Sequence, residues 1–460
     1  MDDATPDSAG SMQPSTPSSG QPTLFPLPLG VPSATARAMG PNPKEGARLR
    51  EAERSQISWG RIDLDSTLPG DHPVRSIWAV VERLDLSALY AQIGARDEVA
   101  GAPAIDPKIL LALWIYATSE GEASAREIWR LTEVHAAYRW ICGGVEVGYH
   151  TLSDFRSRQG EVVDGLITQV LALLMKQDLV ELSRVAQDGT RVRASAGAGS
   201  FRREQTLQSL MEEAQAHLEA VTKEASDPAI SARRAAARIR GARERLARLE
   251  EALKQVPEVA ETKRRSGAKD ATVRVSTTDP EARVMKMGDG GFRPAFNVQF
   301  ATTADAARAI VGVDVTARGS DMGQAPPMLD QIERRTGERP AEILIDGGFV
   351  DHASIDQATQ NGTTVYGPVP KPRKGDTQDP HSPRKDDSAA VAEWRERMRT
   401  QEAKAIYKRR AATAETVNAD AKEHRGLQRL NVRGLNGALG AACLFALTYD
   451  ILRTIALGAG

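Results

Sequence analysis

Asp188 and Asp346 stand in matching stretches, VAQDGT at residues 185–190 and ILIDGG at residues 343–348. In each stretch an apolar run ends in an aspartate that is followed by glycine. Runs of this length suit buried strands, and glycine after the acid leaves room for a ligand to approach the strand end. The sequence therefore predicts two buried β-strands that end in carboxylates at one crevice.

A third acid, Glu415, lies in a segment with the spacing Tyr407-x2-Arg410-x4-Glu415-x6-Lys422. At about 100° per residue, these four side chains occupy roughly 140° of one helix face. The face combines a carboxylate for a metal, two cations for phosphates and an aromatic ring for stacking on a base. Three such acids can hold two divalent cations about 3.5–4 Å apart for in-line displacement at phosphorus. For any single residue the alternative is a solvated helix with incidental charges, but the joint pattern favours phosphoryl transfer.

The order of predicted elements indicates the fold class. After the strand at Asp188 come strands at 295–302 and 310–316, a helix at 323–336, a strand at 341–345, a helix at 354–360, a strand at 363–366 and a helix at 389–422. This order is that of an α/β ribonuclease H-like domain, predicted for residues 183–455, with Asp188 and Asp346 on neighbouring strands. Two apolar helical stripes within residues 203–275 predict a helical hairpin insertion, with its turn at Asp227-Pro228 and a basic return linker from Lys263.

The region before the sheet has a different character. Residues 1–45 are rich in Pro, Ser and Gly, which predicts a flexible tail. Residues 46–182 form a predicted all-α domain, in which Asp106-Pro107 caps one helix, and segments 124–140 and 151–158 are two further helices. The second of these offers polar and basic groups, as a DNA recognition helix does. A plain helical bundle is an equally weighted alternative.

Composition says more about the cellular environment of the protein than about its function. The net charge of −1 gives no support to nucleic-acid binding, but residues 404–433 hold eight basic residues against three acidic ones. Cys142 and Cys443 are isolated in apolar contexts, which predicts buried thiols in a reducing cytosol. The seven histidines lack zinc-ligand spacing. The apolar segment at 438–449 is short for a membrane span and is predicted to be a buried helix.

The chain resembles the DDE-type transposases of bacterial insertion sequences, in the branch with a Tyr-Arg-Glu-Lys signature around the last acid. The resemblance covers most of residues 55–455, and its motifs are DHPVR at 71–75, TLSDFR at 151–156, QDGT at 187–190, STTDP at 276–280, GGF at 290–292, DGGF at 346–349, the Tyr407–Lys422 segment and RGL at 425–427. Two features depart from the broader family. Four residues rather than three separate Arg410 from Glu415, and TVNA at 416–419 replaces a more apolar, glycine-bearing stretch.

The resemblance implies metal-dependent DNA strand cleavage and strand transfer. It assigns Asp188, Asp346 and Glu415 as ligands of two Mg²⁺ or Mn²⁺ ions. It assigns Arg410 and Lys422 to phosphates, Tyr407 to stacking or orientation, and Arg156 and Arg158 of the N-terminal domain to the terminal repeats. It further implies a homodimer on paired DNA ends, no membrane partner, and a cytoplasmic, nucleoid-associated location.

Rival interpretations remain open at the level of sequence. Asp289, Asp314 and the pair at 386–387 also border predicted strands or loops, where turns, a solvated strand face and a helix cap are the expected roles. A metal-dependent nuclease without strand transfer has the same first step as a transposase. A non-catalytic DNA-binding relic is the third alternative, which the presence of all three acids opposes.

Overall fold

The computed structural model describes residues 63–94, 103–225, 231–265, 267, 273–372 and 377–458. The tail predicted at 1–45 and the turn predicted at Asp227-Pro228 lie outside these residues. The elements described below belong to one compact unit, which spans residues 62–460.

Helices dominate the part of the chain before the first strand. They are α1 (Pro73–Arg83), α2 (Ser87–Ala91), α3 (Pro107–Ser119), α4 (Ala125–Val134), α5 (Ala136–Cys142), α6 (Tyr149–Arg158) and α7 (Gly160–Lys176). α3 begins as predicted, because Asp106 accepts a hydrogen bond from the Lys108 amide and Pro107 opens the first turn. The single helix predicted at 124–140 is instead two helices. His135 has an extended backbone that ends α4, and its side chain caps α5.

Strands and helices follow in mixed order. They are β1 (Arg184–Arg193), β2 (Phe201–Arg202), α8 (Glu204–Glu224), α9 (Ala232–Arg265), β3 (Val275–Ser276), β4 (Arg283–Lys286), β5 (Phe292–Thr303), β6 (Ile310–Thr316), α10 (Ala325–Thr336), β7 (Glu342–Leu344), α11 (His352–Gln360), β8 (Thr364–Tyr366), α12 (Ala389–Arg399), α13 (Gln401–Arg410), a π-helical turn (Ala411–Glu415), α14 (Thr416–Glu423) and α15 (Gly434–Ala456). The helix predicted at 389–422 is broken at Thr400, where the backbone is extended and the side chain caps α13.

One mixed sheet organises this half of the molecule. β1 is antiparallel to β5 on one side and parallel to β7 on the other. β8 continues the sheet parallel to β7, while β4 and β6 both pair antiparallel with β5. The path β6-β5-β1-β7-β8, with three antiparallel strands followed by two parallel ones, has the strand order of the predicted α/β class. β4 is an addition that the sequence pattern did not predict.

α8 and α9 pack against each other between β2 and β3. Leu207 and Ala214 of α8 share an apolar cluster with Leu249 and Val256 of α9, and β2 pairs antiparallel with β3 where the chain enters and leaves the two helices. α9 continues to Arg265. The prediction of a linker from Lys263 onward is therefore wrong for the last turn of this helix.

α15 joins the N-terminal helices to the sheet. It packs against α3, α6 and α7 on the helical side and against β6 on the sheet side. Its Phe445 ring lies 5.2 Å from the ring of Phe300 in β5. Because the same helix is buried by both regions, they share one continuous hydrophobic core.

Two predictions from composition concern this core. The helix Gly434–Ala456 is long and apolar enough to cross a membrane, but 67% of its most apolar window is buried inside the protein. Cys142 and Cys443 are buried and unpaired, and burial raises the pKa of the Cys142 thiol to about 11. The predictions of a buried terminal helix and of buried thiols are confirmed.

Candidate active site

Asp188, Asp346 and Glu415 converge on one guanidinium group, that of Arg410. Arg410 Nη1 lies 3.7 Å from Asp188 Oδ2 and 3.3 Å from Glu415 Oε1. Arg410 Nη2 lies 3.7 Å from Asp346 Oδ2. The acids come from β1, from the loop after β7 and from the π-helical turn, so the folded chain brings together residues that are far apart in sequence.

Strand register places the two aspartates side by side. Ala186 of β1 is paired with Leu344 of β7, and each aspartate follows two residues later. β7 ends at Leu344, whereas β1 continues to Arg193 along β5. Asp188 is thus a mid-strand residue, which corrects the prediction of a strand end. β7 thus ends two residues before Asp346, while hydrogen bonds to β5 keep β1 extended past Asp188.

The π-helical turn Ala411–Glu415 explains how Glu415 reaches the Arg410 guanidinium. In an uninterrupted α-helix, two residues five positions apart differ by about 140° around the axis. A π turn instead links residues five positions apart by hydrogen bonds, and such turns recur at functional sites. It absorbs the additional residue between Arg410 and Glu415, whose side chains make a 3.3 Å hydrogen bond.

Burial and charge compete at the centre of the cluster. Burial has the largest effect on Asp188 and raises the pKa of its carboxyl. The Arg410 charge lowers that pKa and the Asp346 charge raises it, with a net upward shift. For Arg410, burial lowers the pKa of the guanidinium, but the neighbouring carboxylates and Tyr407 outweigh burial, so this pKa rises. The cluster is therefore a concentration of negative charge balanced by a buried cation.

Asn418 is a site residue that the sequence interpretation missed. Its side-chain amide donates a 3.0 Å hydrogen bond to Asp188 Oδ2, and the residue is 8% exposed. The other carboxylate oxygen of Asp188 accepts from the Gly189 amide at 3.0 Å. Both oxygens of Asp188 are thus oriented by donors. The available signal was the sequence TVNA at 416–419, which places a polar residue one turn after Glu415.

Gly189 has a packing role, which corrects the expectation that it lets a ligand approach. A Cβ atom at Gly189 would lie 2.2 Å from Asp321 Oδ1 and 2.4 Å from Gln299 Nε2. Asp321 is 4% exposed, accepts hydrogen bonds from Asn297 at 2.6 Å and Gln299 at 2.7 Å, and pairs with Arg191 at 3.0 Å. This buried network fills the space beside β1. The sequence did not predict it, because its members come from three separate segments.

Lys422 and Tyr407 lie beside the acid cluster. Burial, followed by the nearby charge of Arg191, lowers the pKa of the Lys422 ammonium against the opposing effect of Asp188. Tyr407 is half-buried against the main core and contributes to the raised pKa of Arg410. Lys422 is therefore a neighbour of Asp188, and Tyr407 is a neighbour of Arg410. Their contacts with DNA stay predictions.

The two arginines predicted to contact DNA differ in their placement. Arg156 is 8% exposed, donates a 2.5 Å hydrogen bond to the Ala123 carbonyl and lies 4.3 Å from the centre of the Trp114 ring. The structure thus contradicts the prediction that Arg156 contacts DNA, because its guanidinium is buried and used inside the fold. The Arg158 side chain is 73% exposed and only loosely paired with Asp154, at 3.5 Å. DNA contact by Arg158 stays a prediction.

The competing acids have local partners of their own. Asp289 pairs with Arg293 at 2.7 Å and accepts from the Gly291 amide, as expected for a turn. Asp314 accepts from the amide of the next residue. Asp387 forms a buried ion pair with Arg395 at 2.7 Å. The cap of α12 is Ser388, so the expectation of a cap at 386–387 is wrong.

The donor set suits a divalent cation by its chemistry. Carboxylate oxygens are the hard ligands that Mg²⁺ and Mn²⁺ prefer, and three of them already surround one positive charge. In the part of the chain that the structure describes, no group of three or more His, Cys, Asp or Glu side chains is arranged to hold a metal ion. Metal binding by all three acids therefore requires Arg410 to withdraw from between them.

Comparison with known proteins agrees with this geometry. Residues 262–451 match the family described as Transposase DDE domain, and residues 62–158 match the Transposase domain (DUF772). The match over residues 262–451 indicates an enzyme of the DDE nuclease and transposase type. Taken together, the two matches support a DDE-type transposase. No curated protein and no solved structure matches the chain.

The matched residues do not cover the whole site. Asp346 and Glu415 lie inside the Transposase DDE domain match, whereas Asp188 precedes it. The assignment of Asp188 therefore depends on the structure, through its pairing register with β7 and its distance from Arg410. The branch with the Tyr-Arg-Glu-Lys signature stays a prediction.

Proposed function

We propose that this protein is a transposase that cleaves DNA at the ends of a mobile element and joins the freed strands to target DNA. The observation that carries the proposal is the convergence of Asp188, Asp346 and Glu415 on Arg410. The match of residues 62–158 to a transposase domain supports the same activity, and these residues do not include the three acids. DNA is the partner, in the form of terminal inverted repeats and target sites.

Both chemical steps are displacements at phosphorus. In cleavage, a water oxygen bonds to the phosphorus at the element end, the bond to the 3′ oxygen breaks, and that oxygen takes up a proton. In strand transfer, the freed 3′-hydroxyl bonds to a target phosphorus and the 3′ oxygen of the target leaves. Asp188, Asp346 and Glu415 would hold two Mg²⁺ or Mn²⁺ ions, which when bound activate the attacking oxygen and stabilise the leaving one.

The protein side chains have separate tasks in this scheme. Asn418 orients the Asp188 carboxylate through its 3.0 Å hydrogen bond. Lys422 brings positive charge next to Asp188 and would contact a phosphate of the bound strand, as Arg410 would once it leaves the carboxylates. Tyr407 would stack on a base or orient Arg410.

Recognition of a particular DNA end needs groups other than phosphate contacts, because these carry no sequence information. The exposed Arg158 on α6 is the remaining candidate from the predicted recognition helix. The proposal includes a homodimer that holds two ends together and a cytoplasmic, nucleoid-associated location. Since α15 completes the core of the N-terminal helices, end recognition must be tested with the full chain.

The deciding experiment is incubation of the purified protein with Mg²⁺, a target plasmid and DNA that carries the inverted repeats bordering its gene. Joined products are expected. Asp188→Asn, Asp346→Asn and Glu415→Gln should each abolish cleavage and leave DNA binding intact, because each removes a metal ligand with little change of shape. Cleavage without joining would indicate the nuclease alternative, and binding alone the non-catalytic relic. Retained cleavage in one of the variants would remove that residue from the catalytic set.

A further inference from the structure

A cavity of about 410 Å³ lies between the paired helices α8 and α9 and the start of α15. Its polar lining consists of four arginines and two threonines: Arg202, Arg245, Arg248, Arg433, Thr277 and Thr278. The arginines come from three separate places, namely β2, α9 and the residue before α15. The tertiary fold thus gathers four guanidinium groups around one space, with no acidic residue in its lining.

The four arginines of the cavity have no ion-pair partner among the described residues, whereas Arg238 and Arg265 of α9 pair with glutamates. Arg202 donates to the carbonyl groups of residues 199 and 201, which leave its charge unbalanced. Burial, followed by the charge of Arg433, lowers the pKa of the Arg248 guanidinium, and Glu244 only partly offsets this effect.

Two further acids, Asp279 and Glu281, bind the backbone next to Arg433. Asp279 Oδ1 accepts from the Gly434 amide at 3.2 Å, and Glu281 Oε2 accepts from the Leu435 amide at 2.9 Å. These two hydrogen bonds fix the backbone directly after Arg433 at the N-terminus of α15. The Asp279 carboxylate keeps its charge and interacts with that of Arg433, but no carboxylate lies in the lining of the arginine cavity.

We propose that this arginine cavity binds a backbone phosphate of DNA at a place separate from the three-acid cluster. The inference rests on the proposed function, which makes DNA the substrate. Guanidinium groups bind phosphate oxygens in a bidentate manner, and hydroxyl groups of threonine add further donors. A phosphodiester group also relieves the mutual repulsion of the four cations. Contacts of this type set the position of the duplex and carry no sequence information.

The test is the salt dependence of DNA binding by the full chain, measured by fluorescence anisotropy with a labelled duplex of arbitrary sequence. In Arg248→Ala/Arg433→Ala, the slope of log affinity against log salt should fall by about 0.9, since the two arginines help to hold the one backbone phosphate of the cavity and each lost phosphate contact contributes about 0.9. The exposed Arg243→Ala on the same helix is the matched control and should keep the wild-type slope. Arg248→Lys/Arg433→Lys retains the charge and should recover most of the slope.

An unchanged slope in the alanine double variant, with wild-type binding intact, overturns the arginine cavity as a DNA site and leaves the proposed function standing. Absence of DNA binding by the wild-type protein overturns both. If the double variant fails to fold, the single Arg245→Ala variant replaces it, because this side chain is exposed and its loss leaves the core intact. Its slope should fall by up to about 0.9, and an unchanged slope again overturns the inference.

Discussion

Arg410→Met tests whether the guanidinium acts as the counter-charge of the three acids. The pair between Arg410 and Asp188 is 3.7 Å long, and its side chains are only 10% and 15% exposed. At this separation an effective dielectric constant of about 20 gives an attraction of roughly 4 kcal/mol, which desolvation opposes. The side chains of Asp346 and Glu415 are more exposed, so solvent weakens their attraction to Arg410.

The expected result follows from leaving the largely buried Asp188 carboxylate without its partner. Removal of one member of a buried pair costs about 3–5 kcal/mol, so the variant should lose about 3 kcal/mol of unfolding free energy in urea with EDTA. Mg²⁺ should then stabilise the variant more than the wild type, because Mg²⁺ no longer competes with the guanidinium for the same oxygens.

Arg409→Met is the matched control for this experiment. Arg409 is the exposed neighbour of Arg410 on α13, and its replacement should change the free energy of unfolding by no more than about 0.5 kcal/mol. The reasoning is refuted if the two variants are equally stable without metal. It is also refuted if Mg²⁺ stabilises Arg410→Met no more than it stabilises the wild type.

Four further predictions follow from the geometry. Asn418→Ala should weaken Mn²⁺ affinity in calorimetric titration by about 10–100-fold, because Asp188 loses its orienting donor; unchanged affinity would contradict this. Deletion of Ala412 should preserve cleavage, because it converts the π turn into an α-helical turn that keeps Glu415 beside Arg410. Deletion of Ala419 should abolish cleavage, because it rotates Lys422 by about 100° around the helix axis. Equal cleavage by the two deletion variants would contradict this role of the π turn. Burial raises the pKa of Asp279 from 3.8 to about 6, so the folded state binds more protons than the unfolded state between these pH values. Stability should therefore fall by up to about 3 kcal/mol as pH rises through this window, and Asp279→Asn should remove that dependence in urea titrations. Arg156→Ala should lower the unfolding free energy but leave the salt slope of DNA binding unchanged, since the guanidinium is buried against Trp114; a reduced slope would restore the DNA-contact interpretation.

The sequence by itself determined where most of the strands and helices lie, and it marked Asp188, Asp346 and Glu415 as candidate site residues. Apolar runs that stop at an acid and a glycine are local patterns, and they located β7, the start of β1 and the two aspartates. The spacing from Tyr407 to Lys422 identified the helical segment that carries Glu415. Because each of these signals lies within one short continuous stretch of the chain, a single sequence contains them.

Only the tertiary structure decided what surrounds those acids. The Asn418 amide contacts an aspartate 230 residues away, and the Arg410 guanidinium lies between acids from three elements. Burial of Arg156 depends in the same way on the packing of α6 against α3. Strand register and helix packing set these contacts. Both arise only when the core is assembled, so no local sequence pattern predicts them.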